Sequence, residues 1–301
     1  MELTVGPNPF FWPVDQWSDF YATLANAAPE RVVLGELVCS KRLPFYADRL
    51  PEAIDQLTSA GKQVVLTSLA LVTLPRERKA TAALAEAGLE IEVNDLTALT
   101  HLPKGTAFSV GPLINCYNET TLTWLAGRGA TRICLPPELP LASVTVLAQT
   151  AAELGVTVEV WAHGRAPLAI SGRCYHARLH GRAKDNCQFA CEDDPDGLEI
   201  RTLDDEPFLA MNGVQTLSAA SLSAVHQVEI LREAGVNALR LSPQAQGFDE
   251  VCRIWAARRD GQMDGEEAAK ALACHTHGIR FADGFLTGKK GADWSAGAPP
   301  I

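Results

Sequence analysis

Three of the eight cysteines fall in one short stretch, Ser171 to Cys191, which reads SGRCYHARLHGRAKDNCQFAC. Cys174, Cys187 and Cys191 follow a C-x12-C-x3-C spacing. The last two lie within one local turn, and Cys174 can return to them across a short excursion. Arg173, Arg178, Arg182 and Lys184 stand here against the single acid Asp185. Thiolates gathered in a basic loop suit a thiophilic metal centre, because each bound thiolate adds negative charge that nearby cations stabilise. Three ligands are one short of the usual four, so a fourth must come from elsewhere.

The other cysteines are Cys39, Cys116, Cys134, Cys252 and Cys274. Cys134 sits inside the apolar run RICL, where burial accounts for it. Cys252 belongs to the apolar helical pattern Val251, Cys252, Ile254, Trp255, which also reads as core. Cys274 begins the string Cys274-His275-x-His277, a short metal-like string with no matching knuckle. Cys116 follows Asn115 just after a strand. Cys39 stands in LGELVCSKR, just past a strand end and beside Lys41 and Arg42, and its position favours it. Spacing alone leaves zinc and iron–sulfur level, since both accept four thiolates.

The elements that must position these sulfurs alternate from the first residue. Short apolar runs at Leu3–Val5, Arg31–Leu34, Gln63–Leu66, Ile91–Val93, Ala107–Val110, Arg132–Leu135 and Val156–Trp161 read as strands. Between them Trp17–Ala27, Leu50–Ala60, Pro75–Ala87, Glu119–Arg128 and Leu141–Leu154 read as helices. Ser218–Ala234 is expected as a further helix and Val236–Leu241 as the last strand. Strands alternating with helices imply parallel pairing, and this number of units fits a closed (β/α)8 barrel. The strand ends then place Asn8, Glu36, Ser68, Asn94, Asn115, Glu138, His163 and Ser242 on one rim. An insertion from about residue 171 to 207 interrupts the pattern after the seventh strand, with Glu199–Leu203 as a hairpin strand within it. Residues 1–284 are expected to form one barrel domain and 285–301 a loose, Gly/Ala/Pro-rich tail.

Composition narrows the function classes. The 301 residues carry a formal net charge of −10 with 47% hydrophobic residues, which argues for a sizeable core and against broad electrostatic binding of nucleic acid. No run approaches the ~18 apolar residues of a membrane span. The N-terminus lacks the charged and apolar regions of a signal peptide, so a cytoplasmic location is expected. In a reducing compartment the cysteines read as metal ligands or core rather than a disulfide framework.

LGELVCSKR, INCYN at Ile114–Asn118, SGRCYHAR, the C-x12-C-x3-C spacing, NGVQT at Asn212–Thr216 and LRLSPQ at Leu239–Gln244 resemble the collagenase-like peptidase family, and within it the short ubiquinone-biosynthesis branch. The resemblance covers nearly the whole chain. It implies a barrel-type fold and one [4Fe–4S] cluster held by Cys39, Cys174, Cys187 and Cys191. It also implies a heterodimer with a UbiU-like paralogue, a lipid-carrier accessory protein, and oxygen-independent hydroxylation of the ubiquinone ring with prephenate as oxygen donor. Lys41, Arg42 and Arg173, beside the ligands, would offset the cluster's charge and tune its potential. Asn115, Glu138 and His163 are candidates for lining a substrate cavity, the last two as acid/base groups. No catalytic residue is assigned. Other activities of the family remain in play: an RNA-base hydroxylase, a peptidase (although no G-x-S-x-G or H-E-x-x-H motif is present), or a noncatalytic scaffold subunit.

Overall fold

The computed structural model describes residues 1–296. Seven strands pair side by side in parallel: β1 (Glu2–Val5), β2 (Arg31–Leu34), β3 (Gln63–Thr67), β4 (Glu90–Val93), β5 (Phe108–Val110), β6 (Ala130–Cys134) and β7 (Thr157–Ile170). Three more, β8 (Leu198–Arg201), β9 (Pro207–Asn212) and β10 (Gln215–Ser223), stand outside that row. β11 (Ala238–Leu241) pairs in parallel with β1 on one side and β7 on the other, which closes an eight-stranded barrel. A two-residue strand, β12 (Phe281–Ala282), pairs with β10.

Period-two alternation sorts each ring strand into an outer and an inner set. Leu3, Val5, Val32, Leu34, Leu66, Ile91 and Val93 share one apolar core with the helices that wrap the ring. Those helices include Val14–Leu24, which buries Trp17, Tyr21 and Leu24, and Leu141–Glu153, which buries Val144, Leu147 and Ala151. β4 is followed only by a 3-10 turn, Leu96–Thr100, started by the Asp95 carboxylate accepting from the Thr97 amide at 2.8 Å.

The inner set is ionic. Arg240, wholly buried, pairs with both Glu92 and Glu159. Glu159 also accepts from Thr4 Oγ1 at 2.9 Å and from Arg132 Nη1 at 3.2 Å, and Arg132 reaches Glu2 at 2.5 Å. Arg31 grips Glu90 with two bonds of 2.6 and 3.0 Å and adds Ser109 at 3.1 Å. Cys134 lies among Arg240, Glu159 and Glu92, and burial holds its thiol well above the ordinary range. In the low-dielectric interior these ions persist because each carboxylate has a guanidinium partner.

Several expectations need correction. The strand beginning near Val156 does not stop at Trp161 but runs on to Ile170, leaving the ring. The stretch Ser218–Ala234 is not one helix: Gln215–Ser223 is β10, and only Val228–Glu233 is helical. The Ala/Ser run of β10 has fair helix propensity. It is overridden because the overhanging part of β7 offers a ladder on one edge and β9 on the other. The non-barrel region therefore extends to Ser223, past the expected limit near residue 207. Of the expected loose tail, Trp294 packs on Phe281 and His226, and the Ser295 amide bonds Asp283 at 2.8 Å. Residues 297–301 of that tail lie outside the described residues.

Candidate functional site

The C-terminal ends of the ring strands form one mouth, where Cys39, favoured by its place past a strand end, comes near the three cysteines of the insertion. Cys39, Cys174 and Cys187 pack into one small cluster with Leu37, Val38, Ala70, Leu113, Ile170 and Val214, which come from the ends of β2, β3, β5, β7 and the start of β10. Cys191 is electrostatically coupled to Cys39 and to Cys174.

Cys39 is presented by a loop folded on its own acid. Gly35, at φ +117° and backed against Thr67, turns the chain at the end of β2 in a conformation closed to side chains. The buried Glu36 carboxylate then accepts from the amides of Val38 at 2.7 Å and Cys39 at 2.9 Å. Burial pushes Glu36 up, a shift only partly offset by Arg42 and those amides.

The other three come from the insertion. Cys174 caps the short helix Tyr175–Leu179, its sulfur accepting from the Ala177 amide at 3.4 Å. Cys187 and Cys191 flank Gln188 and Phe189, two consecutive non-glycine residues at φ 49° and 52°. Left-handed backbone there costs about 1–2 kcal/mol per residue and must be held by packing. Phe189 supplies it, lying 5.5 Å from Phe11 and 4.8 Å from Phe45 between ring centroids.

Arg42 is the hub. It is 1% exposed and donates to Pro9 O and Asn212 Oδ1, each at 2.8 Å, with Glu36 at 3.8 Å. Its guanidinium lies beside Cys191 and Cys39, and its Nε has no oxygen or nitrogen partner although buried. Burial alone would lower its pKa, but Glu36 and the two sulfurs more than offset this and raise it. Burial also lifts Cys39, Cys174 and Cys191 above the ordinary thiol value, with Arg42 acting against the rise in each.

Arg42 is seated by the Asn212-Gly213 turn between β9 and β10, an Asn-Gly hairpin pair. Gly213, at φ +61°, stands where a Cβ would come within 3.0 Å of the guanidinium. The same turn receives the His176 amide on Gly213 O at 3.3 Å and the Ser171 amide on Val214 O at 2.9 Å. NGVQT is thus the platform beneath the cysteine helix.

The remaining predicted residues divide. Lys41 ties the Cys39 loop to the insertion, donating to Lys184 O at 2.6 Å. Arg173 is exposed, and only its amide is engaged, with Ser171 Oγ at 3.2 Å. Asn115 is exposed, and Glu138 accepts from the Tyr117 hydroxyl. His163 is wholly buried near Trp255 and Phe281, 3.3 Å from Gln244 Oε1, and burial pulls its pKa down to about 4. Cys116 and Cys252 are buried in the main apolar core and are not part of the small cluster that holds Cys39, Cys174 and Cys187. Cys274 is exposed, bonding Lys270 O, and does not meet His275 and His277 in a three-ligand group among the described residues. The sequence reading missed the roles of Glu36, Asn212 and Gly213 and the inner ion pairs. The alternating charges of EIEV and ALRL were the available signal for the pairs.

Fold and site together define a closed parallel β/α barrel that carries four thiols and a buried guanidinium at its mouth. The chain belongs to Peptidase family U32, whose model matches residues 15–296. It is 22% identical over 152 residues to a protein named collagenase from Porphyromonas gingivalis, a match covering 46% of this chain and 36% of that protein. The matched segment is thus about a third of that relative. Among solved structures, a fructose-1,6-bisphosphate aldolase from Coccidioides immitis aligns at 13% identity over 91% of this chain and 86% of that one, with a TM-score of 0.41. An HMG-CoA lyase from Brucella melitensis aligns at 12% identity over 92% and 98%, with a TM-score of 0.34.

Proposed function

We propose that this U32 chain is a UbiV-like, cluster-bearing subunit of an oxygen-independent ring hydroxylase in ubiquinone biosynthesis, working beside a UbiU-like paralogue. One observation carries the reading: Cys39, Cys174 and Cys191 feel the buried Arg42 cation, which has one unspent donor, and Cys187 packs in the same small cluster as Cys39 and Cys174. Cys39, Cys174, Cys187 and Cys191 would hold a [4Fe–4S] cluster. The donor set suits it, since four soft sulfurs require positive charge and N–H groups nearby to moderate their own. Arg42 Nε and the Ala177 amide are such donors. With all four irons capped by cysteine, the cluster would supply electron transfer or structural closure and no open Lewis-acid iron.

The chain's own residues prepare the site. Burial keeps at least three thiols protonated until a metal displaces their protons. Arg42 stays charged, held by Glu36. Lys41 stitches the Cys39 loop to the insertion, and within the insertion Lys184 Nζ donates to Gly172 O at 3.2 Å. The cavity at the mouth, lined by Phe10, Leu37, Leu113, Trp161, Arg165 and Arg240, measures about 20 Å³, room for a water rather than a quinone ring. A ring substrate would then meet the chain at a surface completed by a partner. Tyr175, Leu179, Leu203 and Phe208, all on the insertion, expose large apolar side chains suited to one. A lipid-carrier protein and prephenate would enter as third parties to that assembly. No helix among the described residues is long and apolar enough to cross a membrane.

The name of the P. gingivalis relative favours a second reading, peptidase. It asks for an activated nucleophile, whereas no thiol among the described residues bonds a histidine, and every resolved thiol shift is upward. The deciding measurement is anaerobic purification with iron and acid-labile sulfide quantified. About four of each per chain, with a second family member copurifying, is the expected result. A colourless, iron-free chain that cleaves unfolded collagen peptides would reverse the assignment.

A further inference from the structure

Beside the four thiols lies a second constellation that the proposed function does not use. His176 and His180, four residues apart, project from one side of the Tyr175–Leu179 helix and its end, their rings stacked at 5.4 Å and 11°. Asp194, from the acidic run that follows Cys191, reaches both: its Oδ2 is 2.9 Å from His176 Nε2 and 4.0 Å from His180 Nε2. One ligand atom from each residue lies within 4.8 Å of the other two, the sole such three-residue group among the described residues.

The hydrogen bonding at His176 is what needs an occupant. Its Nδ1 faces Met211 O at 3.1 Å, and a carbonyl can only accept, so Nδ1 carries the proton. In the neutral ring Nε2 then presents a lone pair to a carboxylate oxygen, acceptor against acceptor. Both atoms are buried, and neither makes a hydrogen bond despite the 2.9 Å approach. A backbone carbonyl on Nδ1 with Nε2 free is also the way proteins orient a metal-binding histidine.

We propose that His176, His180 and Asp194 form a site for a borderline divalent transition ion of the zinc type, separate from the four thiols. Two imidazoles at i, i+4 with one carboxylate suit zinc, cobalt(II) or nickel better than magnesium or calcium. Zinc bonds near 2.1 Å place tetrahedral ligand atoms about 3.3 Å apart, so only small side-chain movements close the site. His180 and Asp194 are partly exposed, which leaves a route for the ion and a position for water. The site staples the helix that starts at Cys174 to the loop just beyond Cys191. Both Cys187 and Cys191 lie on the segment it closes, so the ion would order that segment whether or not a cluster is present.

The test uses the full-length chain, purified anaerobically with iron and sulfide measured, then titrated with cobalt(II). The expected result is one cobalt per chain with visible bands of nitrogen and oxygen coordination and without thiolate-to-cobalt charge transfer. His180→Gln and Asp194→Asn, both at partly exposed positions, should each weaken cobalt binding by at least about tenfold and leave iron and sulfide content unchanged. Equal cobalt binding in both variants, purely thiolate bands, or no retention by the parent chain would each overturn the proposal. The readout stands apart from the cluster: nitrogen-and-oxygen bands in an iron-free chain would sustain this site while refuting the hydroxylase reading.

Discussion

Cys39 and Cys252 have the same side chain and opposite surroundings, and the contrast makes a sharp expectation. On the proposed cluster reading, replacing Cys39 or Cys174 by alanine should abolish bound iron and its brown chromophore, whereas Cys252→Ala, in the core with Trp255, should keep both and lose only packing stability, about 1 kcal/mol. Iron assays on the three purified variants decide it; loss in all three would mean that the core cysteine was misread. His163 leads to a prediction about pH. Its folded pKa is pulled from 6.5 to about 4 by burial, so the unfolded chain takes up a proton first as the medium acidifies. Stability from this group is complete above pH 6.5 and drains away as the pH falls toward 4, by at most about 3 kcal/mol. Urea unfolding of His163→Gln across that interval should show a flatter pH dependence than the parent chain. Below it Glu159, lowered to about 2 although burial opposes the shift, because Arg240 and Arg132 hold its charge, sheds its own contribution as the pH drops from about 4.5 toward 2.

Among the elements, the turn at Asn212-Gly213 does the most positioning for its size. A side chain at Gly213 must adopt φ +61° and crowd the Arg42 guanidinium at 3.0 Å. Gly213→Ala should therefore cost about 1–2 kcal/mol and, on the proposed cluster reading, reduce iron retention by shifting Arg42 without removing any of the four proposed ligands. Thermal unfolding and iron content measured on the same sample separate the two effects. The elements also show where reading the sequence succeeds. Ring strands such as RVVL and QVVLT are legible because strands covered on both faces need continuous apolar runs, and Cys174, Cys187 and Cys191 stand out because spacing and local cations coincide, whereas Cys39 is offered only by its place past a strand end. β10 was not: QTLSAASLS has no helical or strand period strong enough to outweigh its Ala/Ser content, and its identity rests on partners far away in sequence. Arg42 read as a flanking charge, since nothing in CSKR says that its guanidinium turns inward while Lys41 turns toward the insertion.

For the molecule as a whole, the ionic barrel interior is the feature with the largest energetic reach. Arg240 answers two carboxylates at once, so Arg240→Met leaves Glu92 and Glu159 short of a partner and should destabilise the chain by about 3–5 kcal/mol. Guanidinium unfolding monitored by tryptophan fluorescence measures it; a loss under 1 kcal/mol would show that Arg132 and bound water can neutralise both acids. These contacts span strands β4, β7 and β11, and that is why no local window of sequence reveals them. Only the alternation of charged and apolar residues within EIEV, VEVW and ALRL hints at an inward face.

The ring's last staple is β11, which pairs with both β1 and β7 yet follows every residue of the insertion. A ribosome delivering this chain therefore releases seven strands whose ring edges, β1 and the first part of β7, have no neighbour until the final quarter emerges. All four sulfurs are outside the tunnel by then, so the cysteine segment meets solvent before the barrel can close.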